Sequence, residues 1–81
     1  MPRYFFDVAD GDRHVRDEEG LELPDGESAR REAICSLLDI ARDELPDGDH
    51  RSFVITVRDG DETSLLSARL ALDAKWLAQA G

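Results

Sequence analysis

Residues 52–61 read SFVITVRDGD, a strong strand signal running into an Asp-Gly turn. Alternation places Phe53, Ile55 and Val57 on one face and Val54 and Thr56 on the other, and aromatic and β-branched residues suit a pleated, half-buried surface. The phrase has a precedent in the chain. VADGD at 8–12 answers VRDGD at 57–61, and Tyr4, Phe6 and Val8 stand where Phe53, Ile55 and Val57 stand later. Asp-Gly between two strand-like runs marks a hairpin, because a type I′ turn needs positive φ at both central residues.

Centring the first turn on Asp10-Gly11 opposes Phe6 to Val15 on the core face. It opposes Asp7 to His14 on the outer face, beside Phe5 and Arg16. The return strand, about 13–17, is short and polar, as edge strands often are. In the second hairpin, a loop over 59–62 or a turn centred on Gly60-Asp61 pairs Ile55 with Leu66 and Phe53 with Ala68. A turn centred on Asp59-Gly60 opposes Ile55 to Ser64 and Val57 to Glu62, so the first arrangement is preferred.

Between the hairpins lies DEEGLELPDGE (17–27), a connector with Gly20 and Pro24 as breakers and with Leu21 and Leu23 expected beneath the sheet. A helix is predicted over 26–45, with Asp25 as N-cap and Glu27 at its positive end. Ala33, Ile34, Leu37, Leu38, Ala41 and Leu45 form the expected core stripe, Glu27–Arg31 an i,i+4 pair, and Pro46-Asp47-Gly48 the stop. Residues 73–81 are expected to carry Trp76 and Leu77 on a short helical turn. The predicted fold is α+β in the order β-β-α-β-β. Residues 1–72 form one domain: two antiparallel hairpins making a sheet, with one helix on one face.

A chain of 81 residues has room for one modest core, hiding roughly 60–65% of the surface its unfolded form exposes. Its net charge is −9, and its only adjacent basic pair, Arg30-Arg31, sits among Glu27 and Glu32. Phosphate backbones and anionic membranes need clustered Lys and Arg, so neither nucleic acid nor membrane is an expected partner. Cys35 has no cysteine to pair with, and no apolar run reaches the roughly 20 residues of a membrane span. A soluble protein of a reducing cytoplasm is expected.

The opening MPRYFFDVADGDRHVRDEEGLELPD resembles a family of short bacterial proteins, common in alphaproteobacteria, that is known as a domain of unknown function. That family begins M-P-R-Y-[FY]-F and continues through a D-G turn to D-x-E-G-x-E-L-P. The resemblance rests on Pro2, Arg3, Tyr4, Phe6, Asp10, Gly11, Asp17, Glu19, Gly20, Glu22, Leu23 and Pro24. It continues through Ala29, Arg30 and Ala33 and the Phe53–Gly60 hairpin, with DEEGLELPD its most specific piece. The family's last strand ends in something like V-P-F, where this chain has LALDAKWLAQAG. The resemblance implies no activity, cofactor or catalytic residue.

Neither aspartate phrase fits a calcium loop. With glycine at position 6 of an EF-hand, Phe6 and Val8, or Ile55 and Val57, would occupy liganding positions 1 and 3. A phosphate cradle needs a helix N-terminus after the turn, and here strands follow. Asp7 facing His14 is the orienter and base of a nucleophilic triad without its nucleophile, since Cys35 falls on the helix beside Ile34. His50 is expected in a polar loop. No metal, cofactor or enzymatic activity is expected.

The candidate partner-binding residues are Phe5 and Arg16, the acidic Asp17, Glu19 and Glu22, and Trp76 near the end. They suggest a non-enzymatic interaction or regulatory module, with homodimerisation through the sheet edge or the uncovered face. Two alternatives are an antitoxin-like partner of a basic protein and an accessory domain binding a divalent cation through Asp17, Glu19 and Glu22.

Overall fold

A computed structural model of the chain describes residues 1–44 and 50–78. Five strands and one helix follow in the order β1 (Arg3–Asp10), β2 (Arg13–Val15), β3 (Leu21–Glu22), α1 (Gly26–Glu44), β4 (His50–Arg58) and β5 (Ser64–Asp73). The antiparallel sheet runs β2-β1-β4-β5, with β3 also on β1. This is the expected α+β architecture with one short strand added from the connector. The two repeated phrases lie side by side: Phe6 pairs with Val57 and Val8 with Ile55, so their turns point to opposite ends of the sheet.

The core forms where α1 crosses the sheet. Tyr4, Phe53, Ile55 and Val57 are buried against Ala29, Ala33, Leu37 and Ala41, a helical row spaced by four residues. Three alanines in that row let the helix sit close to the strands. The close seat has a consequence for the expected stripe: Ile34 and Leu38, one step further round the helix, are exposed, Leu38 by 50%. Leu45 and the Pro46-Asp47-Gly48 stop lie outside the described residues. Asp25 caps the helix, its Oδ1 accepting the Ser28 N–H at 2.8 Å. Glu27 pairs with Arg30 at 3.2 Å, one residue short of the expected Arg31. Leu23 packs on the core, whereas Leu21 is exposed.

Both hairpins differ from expectation by two positions in register, which preserves the faces because side chains alternate with period two. In the first, Asp10 pairs with Arg13, Ala9 with His14 and Val8 with Val15, so the tip is Gly11-Asp12. Only Gly11 has positive φ there (61°), the requirement of a II′ turn instead of I′. Asp7 therefore faces Thr56, and the Asp7–His14 pair does not form. Val15, on the short edge strand β2 where it borders a cleft with Ile40 and Glu44 of α1, is 58% exposed.

In the second hairpin Val57 pairs with Leu66, Ile55 with Ala68 and Phe53 with Leu70, with a bulge between Val57 and Arg58. Asp59 N–H donates to the Thr63 carbonyl (2.9 Å) and Glu62 N–H to that of Asp59 (3.2 Å). The left-handed position of this loop belongs to Glu62 (φ 67°), and a Cβ on Gly60 would meet nothing. The Asp59 carboxylate accepts from the amides of Asp61 and Thr63. The same three letters thus build two different turns.

His50 opens β4 opposite Asp73 and does not sit in a loop. Residues 74–78 form no helical turn, and Trp76, 77% exposed, does not cap the core. Among the described residues no helix is long and apolar enough to cross a membrane.

Candidate functional site

Most of the residues singled out in the sequence converge on one end of the sheet face away from α1, around Arg58. Arg58 is the last residue of β4 and pairs with Phe5 of β1. Although that face carries no helix, Arg58 is only 6% exposed. Its Nε–H donates to Asp7 Oδ2 at 2.8 Å, and its Nη2 donates to the Asp17 carbonyl at 2.6 Å. Nη1 reaches Glu62 Oε1 at 3.3 Å, and the guanidinium lies 4.7 Å from the centre of the Phe5 ring. Carboxylates, a carbonyl and a ring thus surround the cation, which is how a buried charge is tolerated.

The DEEGLELP phrase closes over this hub. The Asp17 carboxylate accepts three amide protons, from Phe6, Glu19 and Gly20, each at 3.1 Å, while Asp17 N–H donates to Asp7 Oδ1 at 2.9 Å. Gly20 has φ 73°, and a Cβ on it would stand 2.9 Å from both Phe5 Cε1 and Arg3 Cγ. Only glycine fits that conformation and that approach without strain. Arg3 donates to the Glu19 carbonyl at 2.5 Å and pairs with Glu22 at 3.4 Å. Arg16 holds Glu62 through both carboxylate oxygens at 2.8 Å.

These contacts set the local acidity. Burial alone would raise the Asp7 pKa, but hydrogen bonds from Arg58 and the Asp17 amide, with the Arg58 and Arg16 charges, hold it below the ordinary carboxylate value. Burial likewise opposes ionisation of Asp17, and the three amides with the Arg58 charge outweigh it, so its pKa is also lowered. The hydrogen bond from Arg16, followed by the Arg16 and Arg58 charges, lowers that of Glu62.

A cleft of about 280 Å³ remains between Phe5, Arg16, Asp17, Glu18, Arg58 and Glu62. Its cations already carry internal partners, so the hub works as a latch on the fold. Asp17, Glu19 and Glu22 do not gather: Asp17 faces amides and Glu22 faces Arg3. Among the described residues no three His, Cys, Asp or Glu side chains are placed to hold a metal ion. Arg58 and Asp7 meet only through the pairing of β1 with β4, which neither hairpin alone encodes, and Glu62 joins them from the loop that follows Arg58. Arg58 and Phe5 on the outward face were the available signal once that pairing is known.

The latch also explains the two unlike edges of the sheet. On the β1 side, β2 pairs with residues 8–10, β3 pairs with residues 3–4, and the Asp17 carboxylate takes the Phe6 amide between them. On the other side, no strand among the described residues pairs with the outer side of β5 over 64–72. Next to that edge, a groove of about 370 Å³ runs between β5 and α1, lined by Ile34, Leu37, Leu38, Leu66 and Leu70 with Arg30 and Arg69 among its borders.

Fold and surfaces together define a small α+β module with one sealed sheet edge and one open edge. Residues 3–71 match the family described as a domain of unknown function (DUF6894), and the chain belongs to that family. The match takes in the whole latch and stops before Trp76. No curated protein and no solved structure matches the chain.

Proposed function

We propose that this protein is a non-enzymatic protein–protein interaction module whose binding surface is the outer edge of β5 and the groove beside it. The observation that carries the reading is the edge itself. Ser64–Asp73 is a ten-residue strand with no Pro and no Lys; its bulge lies at the Ser64–Leu66 end, and the regular stretch 66–72 carries a single charge, Arg69, against the usual devices that protect an exposed edge. Leu38 and Ile34 of α1 are exposed in the groove beside it, and Leu65 is exposed at its bulged start, apolar surface where a solitary domain is expected to be polar. Phe5, Arg16, Asp17, Glu19 and Glu22 serve in this reading as the framework that closes the opposite edge. Trp76 and Leu77, exposed just beyond β5, extend the binding side.

The test is co-purification with tagged chain under reducing conditions, in parallel with light scattering of the purified protein. Leu65→Lys is compared with wild type in both. The expected result is a complex, with itself or with another protein, that Leu65→Lys weakens. A strictly monomeric protein that repeatedly captures nothing overturns the proposal.

A further inference from the structure

We infer that residues 16–22 form a strap that lifts from β1 as a unit while the packing of α1 on the sheet stays intact, so that the sealed edge has an open state. The way the segment is held sets it apart from the core. Between Arg16 and Glu22 only Asp17 and Gly20 are even half-buried, so no buried apolar side chain anchors it. Its strand pairing is β3 alone, two residues long, with Leu21 on Tyr4 and Glu22 on Arg3. The other ties are mainly polar. The Asp17 carboxylate takes the Phe6 amide at 3.1 Å, its N–H reaches Asp7 at 2.9 Å, and its carbonyl accepts from Arg58 at 2.6 Å. Arg3 and Arg16 add exposed pairs with Glu22 and Glu62.

The groups beneath the strap keep partners when it leaves. Arg58 and Asp7 belong to β4 and β1, and their 2.8 Å contact does not involve the segment. Glu62 reaches Arg58 from its own loop at 3.3 Å, and the Phe5 ring keeps its 4.7 Å stack on the guanidinium. Water replaces the Asp17 carbonyl as an acceptor. Opening thus hydrates a cation and carboxylates, which water solvates well, while Phe53, Ile55 and Val57 stay buried under α1. Segments with few buried apolar contacts and exposed hydrogen bonds are those that open locally. The open state frees the Phe6 amide and the pairing positions Arg3 and Tyr4, so β1 gains an unpaired edge beside the three residues that β2 covers. Such an edge is a template for another strand. The strap is a cover over a second strand-pairing site, pinned by the Asp17 carboxylate, and this inference does not depend on what binds β5.

The test is amide hydrogen exchange, read by NMR on the full chain near neutral pH, without urea and at concentrations below the unfolding transition. The amides of Phe6, Asp17, Glu19 and Gly20 report the strap, and those of Val54, Ile55 and Thr56 in the central strand report the core. In wild type the strap amides are expected to share one protection factor, at least about tenfold below that of the core amides. Their exchange should respond little to urea, because opening exposes little apolar surface, whereas exchange of the core amides should accelerate with it. Asp17→Asn sets an NH2 group where a carboxylate oxygen accepted. It is expected to lower strap protection about tenfold or more while the core amides stay protected and the helical circular dichroism is retained. Strap and core amides with the same protection and the same urea response overturn the inference, since the segment would then leave only in global unfolding. Strap amides that exchange with unrelated protection factors, or that Asp17→Asn leaves unchanged, overturn it as well. Should Asp17→Asn fail to fold, the wild-type comparison decides by itself.

Discussion

Replacing Arg58 with Met keeps much of the side-chain volume and removes the guanidinium, with its 4.7 Å stack on the Phe5 ring. Asp7 then loses its 2.8 Å partner, and the Asp17 carbonyl its 2.6 Å donor, at a site where Asp7 is 27% exposed at its side chain. Breaking a fully buried ion pair by deleting one partner costs about 3–5 kcal/mol. Residual access of water to Asp7 lowers the expectation to about 2–4 kcal/mol. A chain of this length has a total stability of about 4–12 kcal/mol, so the variant loses a large share of it. The corresponding fall in Tm is roughly 8–30 °C. Urea unfolding followed by circular dichroism is the suitable assay, because exposed Trp76 is a poor reporter of the core. The double-mutant cycle with Asp7→Asn should return a coupling of about 1–3 kcal/mol. A loss below about 0.5 kcal/mol, the range of ordinary surface changes, with no coupling to Asp7, refutes the latch.

Gly20→Ala should cost about 2–4 kcal/mol, combining a left-handed backbone with a Cβ forced onto the Phe5 ring; a melting curve unchanged from wild type would show that the loop repacks freely. At Glu62 two effects oppose. Glu62→Ala keeps the left-handed strain and loses the Arg16 and Arg58 contacts, whereas Glu62→Gly loses the contacts but relieves the strain, so the glycine variant should melt higher than the alanine variant. Acid should destabilise the fold through Asp7 and Asp17. Their folded pKa values lie below the unfolded ones, so the stabilisation is complete above the unfolded value and is lost as pH falls through the folded value. The Tm of wild type should therefore drop from about pH 5 downward, and Asp17→Asn should flatten that dependence while lowering Tm near neutrality. An Asp17→Asn profile parallel to wild type would remove Asp17 from the acid response.

Local chemistry determined much of this protein. The alternation in SFVITVR, the Asp25 cap, the helix and the presence of two hairpins are properties of neighbouring residues, and each was legible in the chain. Faces survived even where registers moved, because a two-residue slip leaves alternation intact. The identity of the turn residues was less legible: Asp-Gly is compatible with several loops, and strand pairing selected II′ at Gly11-Asp12 and a left-handed Glu62 in the other. Tertiary structure alone decided what joins the halves. The pairing of β1 with β4 brings Asp7, Arg58 and Phe5 together from distant parts of the chain, and no local preference encodes that meeting. It also turned DEEGLELP from an acidic loop into the seal of one edge, since Asp17 is consumed by three amides. The close seat of the alanine row rotated Ile34 and Leu38 out to the other edge. Hydrophobic periodicity says which residues want burial; only the packed helix and sheet decide which of them the chain cannot bury by itself.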